Sequence, residues 1–149
     1  MNKWDPYFLT ICNAVASKSS CLSRQIGAIL VRDKSVVATG YNGPARGYPH
    51  CLPSTCPRQL KPGYKSGEDL VSCPAAHAEA NCIANAARLG VSTKGCTLYL
   101  NTIIPCKDCM ILLVNAGIIE VVTTDLTYYH QMSEGIALNG GIRIRRFET

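Results

Sequence analysis

The sequence predicts an α/β fold, because segments with the pattern of strands alternate with segments with the pattern of helices. From residue 26 onward the predicted order is a hairpin, a helix, a strand, a second helix and a further strand. Each of these two helices begins at a reactive side chain, His77 in one case and Cys106 in the other. In sheets of this kind the functional groups gather beyond the carboxyl ends of the strands. We therefore expect the functional site at that edge of the sheet.

The first predicted helix begins at Asp5 and runs through about Ser17. We expect Asp5 to be the N-cap acceptor and Pro6 to be the first helical residue. Four apolar residues recur at helical spacing, so this helix should lie against the sheet. They are Phe8, Ile11, Cys12 and Val15.

A hairpin is predicted next. Its strands, Ile26–Val31 and Ser35–Tyr41, are apolar and favour β structure, and residues 32–34 join them. It ends in the run Gly40-Tyr41-Asn42-Gly43, where the glycines allow tight turns and close approach of the backbone to a ligand. Residues 43–72 then form a long irregular stretch. Such a stretch is uncommon inside a compact domain unless something cross-links it.

The second half of the chain continues the alternation of helices and strands. The helix that begins at His77 is rich in strong helix formers and has Gly90 as its stop signal. The predicted helices are His77–Arg88, Cys106–Asn115 and Gln131–Leu138, and the predicted strands are Cys96–Leu100, Ile118–Thr124 and Ile142–Phe147.

The last predicted strand is an edge strand that carries three arginines, Arg143, Arg145 and Arg146. Two interpretations remain open for them. They are either a solvated edge that blocks unwanted strand pairing or part of a contact between subunits.

The composition is that of a globular protein, and we expect a cytoplasmic location because the sequence shows neither a signal peptide nor a membrane span. Of the 149 residues 47% are apolar, and a net charge of +5 is too small to indicate nucleic-acid binding. The first residues, Met1–Pro6, lack the features of a secretory signal peptide. No apolar run approaches the roughly 20 residues that span a bilayer. We expect one domain, residues 1–149, with neither a membrane nor a nucleic acid as partner.

Three residues have the spacing of a catalytic zinc site: His77, Cys106 and Cys109. Three protein ligands leave the fourth tetrahedral position of zinc to water. Cys106 and Cys109 are three residues apart in the first turn of a helix, which puts both sulfurs on one side. The helix N-terminus also favours the thiolate, which is the form that binds metal.

Glu79 is the predicted proton carrier of this site. A zinc ion held by two thiolates and one neutral imidazole is formally neutral, so it acidifies its bound water less than a zinc ion held by three imidazoles. A separate proton acceptor is therefore needed. Glu79 lies two residues beyond His77 and fits that role.

Four further cysteines predict a second, structural zinc ion that cross-links the long irregular stretch. In a cytosolic chain, clustered cysteines indicate metal binding or catalysis rather than disulfides. Four thiolates would fill a tetrahedral shell, and His50 is a substitute ligand. The alternative is a set of unrelated buried thiols or a redox pair. The four residues are Cys21, Cys51, Cys56 and Cys73.

Together these motifs resemble those of the cytidine/deoxycytidylate deaminase superfamily, and most closely its deoxycytidylate (dCMP) deaminases. His77-Ala78-Glu79 and Pro105-Cys106-Lys107-Asp108-Cys109 match the H-x-E and P-C-x-x-C pair of zinc nucleobase deaminases. The run Gly40-Tyr41-Asn42-Gly43 is typical of the nucleotide branch. The likeness covers roughly residues 19–130. It implies a three-layer α/β/α sandwich around a mixed sheet of about five strands, as in cytidine deaminases.

The resemblance implies hydrolysis of dCMP to dUMP and ammonia, which supplies precursor for dTTP synthesis. It also implies a homo-oligomer, often a hexamer, with dCTP as activator and dTTP as inhibitor. Mg²⁺ would accompany the triphosphate effector. In the reaction, Glu79 would deliver a proton to N3 of cytosine while hydroxide attacks C4, and would carry a second proton to the departing amino group.

The resemblance further assigns binding residues. Asn42 would bind the substrate sugar, since an amide offers both a donor and an acceptor. Arg24 and Tyr129 would bind the 5′-phosphate; the alternatives are a surface salt bridge and a packed loop aromatic. The effector residues would be Tyr41, Asn42, Gly43 and Arg88. Alternatively, Arg88 binds no effector, and its charge stabilises the C-terminus of its own helix.

Two other functions would use the same motifs. A polynucleotide deaminase needs stacking aromatics and a basic track, whereas only 7% of these residues are aromatic and the basic residues are scattered. A zinc-stabilised module that senses dCTP or dTTP without catalysis would have a fourth protein ligand and no need of Glu79. Hydrolysis of dCMP is therefore the favoured prediction.

Overall fold

A mixed sheet with helices on both faces forms the centre of the fold. The computed structural model describes residues 2–52, 56–58, 60, 62–63 and 73–149. Within these ranges the helices are α1 (Asp5–Ala16), α2 (Ala78–Leu89), α3 (Lys107–Asn115) and α4 (Ser133–Asn139). The strands are β1 (Gly27–Arg32), β2 (Ser35–Tyr41), β3 (Gly43–Pro44), β4 (Ala75–Ala76), β5 (Thr97–Leu100), β6 (Glu120–Thr123) and β7 (Arg143–Arg146).

The main sheet has, within the described residues, five strands in the order β2-β1-β5-β6-β7. β1 runs antiparallel to β2 and β5, while β5, β6 and β7 are parallel. The loops that leave the carboxyl ends of β5 and β6 meet in an isolated bridge between Ile104 and Tyr128. The predicted sandwich with a five-stranded mixed sheet is confirmed. Among the described helices, none is long and apolar enough to cross a membrane.

Two cores form on opposite faces of the sheet because successive side chains of a strand point in opposite directions. In β1, Leu30 belongs to the core under α2 and α3, whereas Ile29 belongs to the core under α1. Phe8 and Cys12 of α1 fill the second core, as predicted. Cys82 is fully buried in the first.

The start of α1 differs from the prediction. The N-cap is Trp4, and Asp5 is the first residue of the helix, where it is fully buried. Its carboxylate accepts hydrogen bonds of 2.6 and 3.0 Å from the Arg145 guanidinium and one of 2.8 Å from the Glu148 N–H. Burial alone would raise the pKa of Asp5, but these bonds and the Arg145 charge outweigh it and lower the pKa. Asp5 therefore pairs with a residue 140 positions away instead of capping its own helix.

The three arginines of β7 differ in their contacts and in their exposure to solvent. Arg145 lies 3.4 Å from Glu120 as well as pairing with Asp5, so it joins α1 to the edge of the sheet. Arg143 also approaches Glu120, at 3.5 Å, but its side chain is largely exposed. Arg146 is exposed. Arg143 and Arg146 therefore fit the interpretation as a solvated edge. The other interpretation, a contact between subunits, stays a prediction.

The hairpin is confirmed with a shorter turn than expected. Asp33 and Lys34 have φ angles of 53° and 59°, which fit a two-residue turn, and Arg32 belongs to β1. In the predicted irregular stretch 43–72, Gly43–Pro44 forms β3 and pairs with β4. Residues 53–55, 59, 61 and 64–72 of that stretch lie outside the described residues.

Gly40 allows α2 to pack directly on β2. A Cβ atom at Gly40 would lie 2.4 Å from the backbone nitrogen of Cys82 and 2.7 Å from the carbonyl oxygen of Ala78. The close approach predicted at this glycine is therefore made by a helix and not by a ligand. It sets the position of α2, whose first turn carries Glu79.

Gly40→Ala should destabilise the protein by about 1–3 kcal/mol, because the backbone of α2 would have to move away from β2. Chemical denaturation measures this change in the free energy of unfolding. Gly135→Ala in α4 is the matched control, since its added methyl group meets no atom within 4 Å. Equal stabilities of the two variants would contradict the packing argument.

Candidate active site

Three ligand atoms converge at the starts of two helices. His77 is the N-cap of α2, and Cys106 is the N-cap of α3; both have extended backbone. The Nδ1 atom of His77 lies 3.5 Å from the Sγ atom of Cys106 and 3.4 Å from that of Cys109. Within the described residues this is the one group of His, Cys, Asp and Glu side chains whose ligand atoms all lie within 4.8 Å of one another.

These distances fit a zinc ion. Zn–S bonds of about 2.3 Å and Zn–N bonds of about 2.0–2.1 Å at tetrahedral angles put nitrogen and sulfur about 3.6 Å apart. One imidazole and two thiolates are also the donor types that zinc prefers. Because three protein donors do not fill a tetrahedral shell, the arrangement is that of a catalytic zinc site rather than a structural one.

The two thiols of the site share a hydrogen bond. This bond lowers the pKa of Cys106 to about 4, and a hydrogen bond with His77 acts in the same direction. It raises the pKa of Cys109. The sequence predicted a thiolate from the position at the helix N-terminus. A backbone hydrogen bond from Cys109, in the first turn of α3, also lowers the pKa of Cys106, in addition to the larger effect of the neighbouring thiol.

Glu79 lies beside the three ligands. It occupies the first turn of α2, is 5% exposed and lines the same cavity as His77. Burial raises the pKa of its carboxyl, and a hydrogen bond from its own backbone N–H and the His77 charge partly offset that effect. A hydrogen bond joins it to Cys109. A buried carboxyl group is therefore within reach of the predicted zinc site.

A cavity of about 130 Å³ opens beside the site. Arg24, Asn42 and Tyr129, the three predicted substrate residues, all line it. The Tyr129 ring stands edge-on to the His77 ring, with 6.3 Å between their centroids.

The side chain of Asn42 forms hydrogen bonds with the backbone of the segment before β1, at one wall of the cavity. Its Oδ1 atom accepts a 2.9 Å hydrogen bond from the Ile26 N–H, and its Nδ2 atom donates a 2.9 Å bond to the Arg24 carbonyl oxygen. One amide hydrogen and one lone pair remain. Asn42 thus positions the segment that carries Arg24, which the sequence did not indicate, and its contact with a sugar stays a prediction.

The predicted effector residues Tyr41, Gly43 and Arg88 are not among the described residues that line the cavity. The Nδ2 atom of Asn81 donates to the carbonyl oxygen of Tyr41 at 2.8 Å and to that of Gly43 at 3.3 Å. Arg88 is exposed and donates to Asn85 Oδ1 at 3.2 Å. These residues lie along one side of α2, and effector binding by them stays a prediction.

The four cysteines of the predicted second zinc site all belong to the described residues. Burial raises the pKa of Cys51, and the charges of Cys21, Cys56 and Cys73 raise it further. In the described part of the chain, no three of their sulfurs lie within the 4.8 Å spacing that the first site reaches. The described cysteines therefore form no closed set of zinc ligands, and the second zinc site stays a prediction.

Two residues that the sequence did not single out support the site. Ser133 is buried, and its Oγ atom donates a 2.8 Å hydrogen bond to the carbonyl oxygen of Pro105, the residue before Cys106. The position of Ser133 near the start of the predicted helix 131–138 was the feature of the sequence that could have indicated this role. Arg58 is buried and lines the cavity. The burial of Arg58 could not be predicted, because a single arginine in an irregular stretch has no sequence pattern that indicates it.

Known proteins match the chain along most of its length. The family model described as the cytidine and deoxycytidylate deaminase zinc-binding region matches residues 2–125. The deoxycytidylate deaminase of Mycobacterium phage D29 is 43% identical over 125 residues, which are 80% of this chain and 92% of the phage protein. That of Saccharomyces cerevisiae is 37% identical over 144 residues, which are 97% of this chain but 45% of the yeast protein. The chain thus spans less than half the length of its yeast relative.

The fold also matches a solved structure. The dCMP deaminase of cyanophage S-TIM5, in complex with dCMP and dUMP, has a TM-score of 0.75 at 23% identity, over 98% of both chains. The family model and the cluster of one imidazole and two thiols together define the class, a zinc-binding deaminase domain. The family model and the phage relative make the particular assignment: the chain belongs to the cytidine and deoxycytidylate deaminase family.

Proposed function

We propose that the chain hydrolyses dCMP to dUMP and ammonia in a zinc-dependent reaction. The observation that carries this proposal is the placement of the buried Glu79 beside three zinc-type ligands in one small cavity. The names of the phage and yeast relatives support dCMP as the substrate. The product would supply precursor for dTTP synthesis.

The chemistry follows from the positions of the side chains. His77, Cys106 and Cys109 would hold a zinc ion, which would supply a Lewis acid that lowers the pKa of a water molecule. Glu79 would accept a proton from the attacking water and pass it to N3 of the cytosine ring while the water oxygen bonds to C4. Glu79 then takes the second proton of the former water and delivers it to the amino nitrogen. The C4–N bond breaks, and ammonia leaves.

Substrate selection would fall to the residues that line the cavity with Glu79. The guanidinium of Arg24 and the hydroxyl of Tyr129 are donors suited to a 5′-phosphate. The remaining donor and acceptor of Asn42 suit a sugar hydroxyl. The position of all three on one cavity supports these assignments.

Regulation by dCTP and dTTP is a further part of the proposal, with Mg²⁺ accompanying the triphosphate. The grouping of Tyr41, Gly43 and the exposed Arg88 along one side of α2 supports a binding surface outside the cavity. Assembly into a homohexamer and a cytoplasmic location stay predictions from the sequence.

Zinc-loaded protein should convert free dCMP, and it should leave cytosine in a single-stranded oligonucleotide unchanged, because the chain has few aromatic residues for base stacking. The fall in absorbance of cytosine measures the first reaction, and chromatography of the digested oligonucleotide measures the second. Turnover of the oligonucleotide alone would indicate a polynucleotide deaminase. Binding of dCTP or dTTP without any turnover would indicate a sensing module.

Glu79→Gln should reduce dCMP turnover by about 10²- to 10⁴-fold, because the amide cannot accept the proton of water. Its zinc content should equal that of the unchanged protein, since Glu79 is not a ligand. Elemental analysis and the absorbance assay measure the two quantities. Glu134→Gln, an exposed change in α4, is the control and should keep full activity. Full turnover by Glu79→Gln would remove this residue from the mechanism.

We also propose that Cys21, Cys51, Cys56 and Cys73 bind a second, structural zinc ion. The effect of the other three thiols on the pKa of the buried Cys51 supports the proposal. Thiolates are a ligand type that zinc prefers, and four of them would fill its tetrahedral shell. Such an ion would cross-link the irregular stretch to the loop after α1.

Cys51→Ser should therefore contain one zinc ion fewer per chain than the unchanged protein, and its midpoint of thermal unfolding should fall. Elemental analysis and calorimetry provide the two measurements. Cys12→Ala is the control, since Cys12 is a buried core thiol outside both clusters. Equal zinc contents of Cys51→Ser and Cys12→Ala would show that the four thiols hold no metal.

A further inference from the structure

Arg58 is the second arginine of the cavity, and it differs from Arg24 in its burial. Arg58 is only 5% exposed, and its terminal Nη2 atom is itself buried. Arg24 is exposed to solvent. Both line the cavity that contains His77 and Glu79. A guanidinium group is therefore enclosed in the protein at the wall of the proposed substrate site.

The backbone around Arg58 is folded and anchored. The Cys56 N–H donates a 2.8 Å hydrogen bond to the Leu52 carbonyl oxygen, and the Leu60 N–H donates a 3.1 Å bond to the Cys56 carbonyl oxygen. The thiol of Cys56 is also near enough to Cys51 to raise its pKa. Cys56, two residues before Arg58, is thus tied through its backbone to Leu52 and Leu60.

The charges around the cavity favour an anion. Among the described residues that line it, Arg24 and Arg58 are permanent cations, and Glu79 is the one carboxylate. The two thiolates of the zinc site would be balanced by the ion they bind. A buried guanidinium attracts an anion more strongly than an exposed one, because less solvent screens it. Its planar fork also matches two oxygens of a phosphate group.

We propose that Arg58 binds the phosphate group of the mononucleotide substrate and thereby sets the preference for a nucleotide over a nucleoside. This inference rests on the proposed function, because it assigns a substrate contact in the same cavity. Arg24 would add a second, solvent-exposed contact to the same group. Removal of Arg58 should weaken the binding of a nucleotide and leave that of the matching nucleoside unchanged.

The test compares the binding of dUMP and deoxyuridine, which differ in the phosphate group alone. Calorimetric titration of both compounds is carried out on the zinc-loaded protein and on Arg58→Gln, Arg58→Lys and Arg143→Gln. Arg143 is the matched control, because its side chain is largely exposed on the distant edge strand β7. Zinc content and the midpoint of thermal unfolding establish that each variant is folded.

Arg58→Gln should bind dUMP about 10- to 100-fold more weakly than the unchanged protein, as expected for the loss of charge-assisted hydrogen bonds to phosphate. Its affinity for deoxyuridine should not change. Arg58→Lys, which keeps the charge but loses the planar guanidinium with its paired donors, should have intermediate affinity for dUMP. If Arg58→Gln does not fold, the comparison of dUMP with deoxyuridine is made on Arg58→Lys. Arg143→Gln should bind both compounds normally.

Unchanged dUMP binding by Arg58→Gln would overturn the inference, and so would an equal loss of affinity for dUMP and deoxyuridine, which would indicate a structural role. The proposed function is tested separately by dCMP turnover in the unchanged protein. Dependence of dUMP binding on Arg58 in a protein that does not hydrolyse dCMP would reject the proposed function and leave the phosphate contact standing.

Discussion

The convergence of two helix starts on a single point is the constraint on which the site depends. His77 and Cys106 both occupy N-cap positions, where the backbone is extended and the side chain is free to turn away from its own helix. Their relative position is fixed by contacts outside the site. The backbone of α2 rests on Gly40, and Ser133 holds the residue before Cys106. The ligands therefore meet because the sheet and its neighbouring loops leave the helices little freedom.

The parts of the molecule that could be predicted from the sequence are those with short-range patterns. His77 and Glu79 are two residues apart, Cys106 and Cys109 are three apart, and each pair lies where a helix begins. The structure then confirms their convergence at one cluster, with Glu79 beside it. The alternation of strands and helices likewise predicted the layers of the fold, because hydrophobic periodicity is set by local geometry.

The parts that could not be predicted depend on contacts between distant segments. Asp5 has the local pattern of a helix cap, but the stronger interaction is with Arg145, 140 residues away. Asn42 was assigned to a ligand, whereas two of its hydrogen bonds hold the backbone of Arg24 and Ile26. Arg58 lies in a stretch without periodicity, where composition gives no indication of which side chain turns inward. In each case the tertiary environment decides the function of a polar side chain.

The short pairing of β3 with β4 has a consequence for how this site can evolve. It joins Gly43–Pro44 to Ala75–Ala76, immediately before His77, and so brings together the two ends of the intervening chain. Because the cost of closing a loop rises only slowly with its length, insertions or deletions between these ends need not displace the imidazole. A change in that segment would alter the wall of the cavity, to which it contributes Arg58 and Cys73, while the three ligand side chains keep their places.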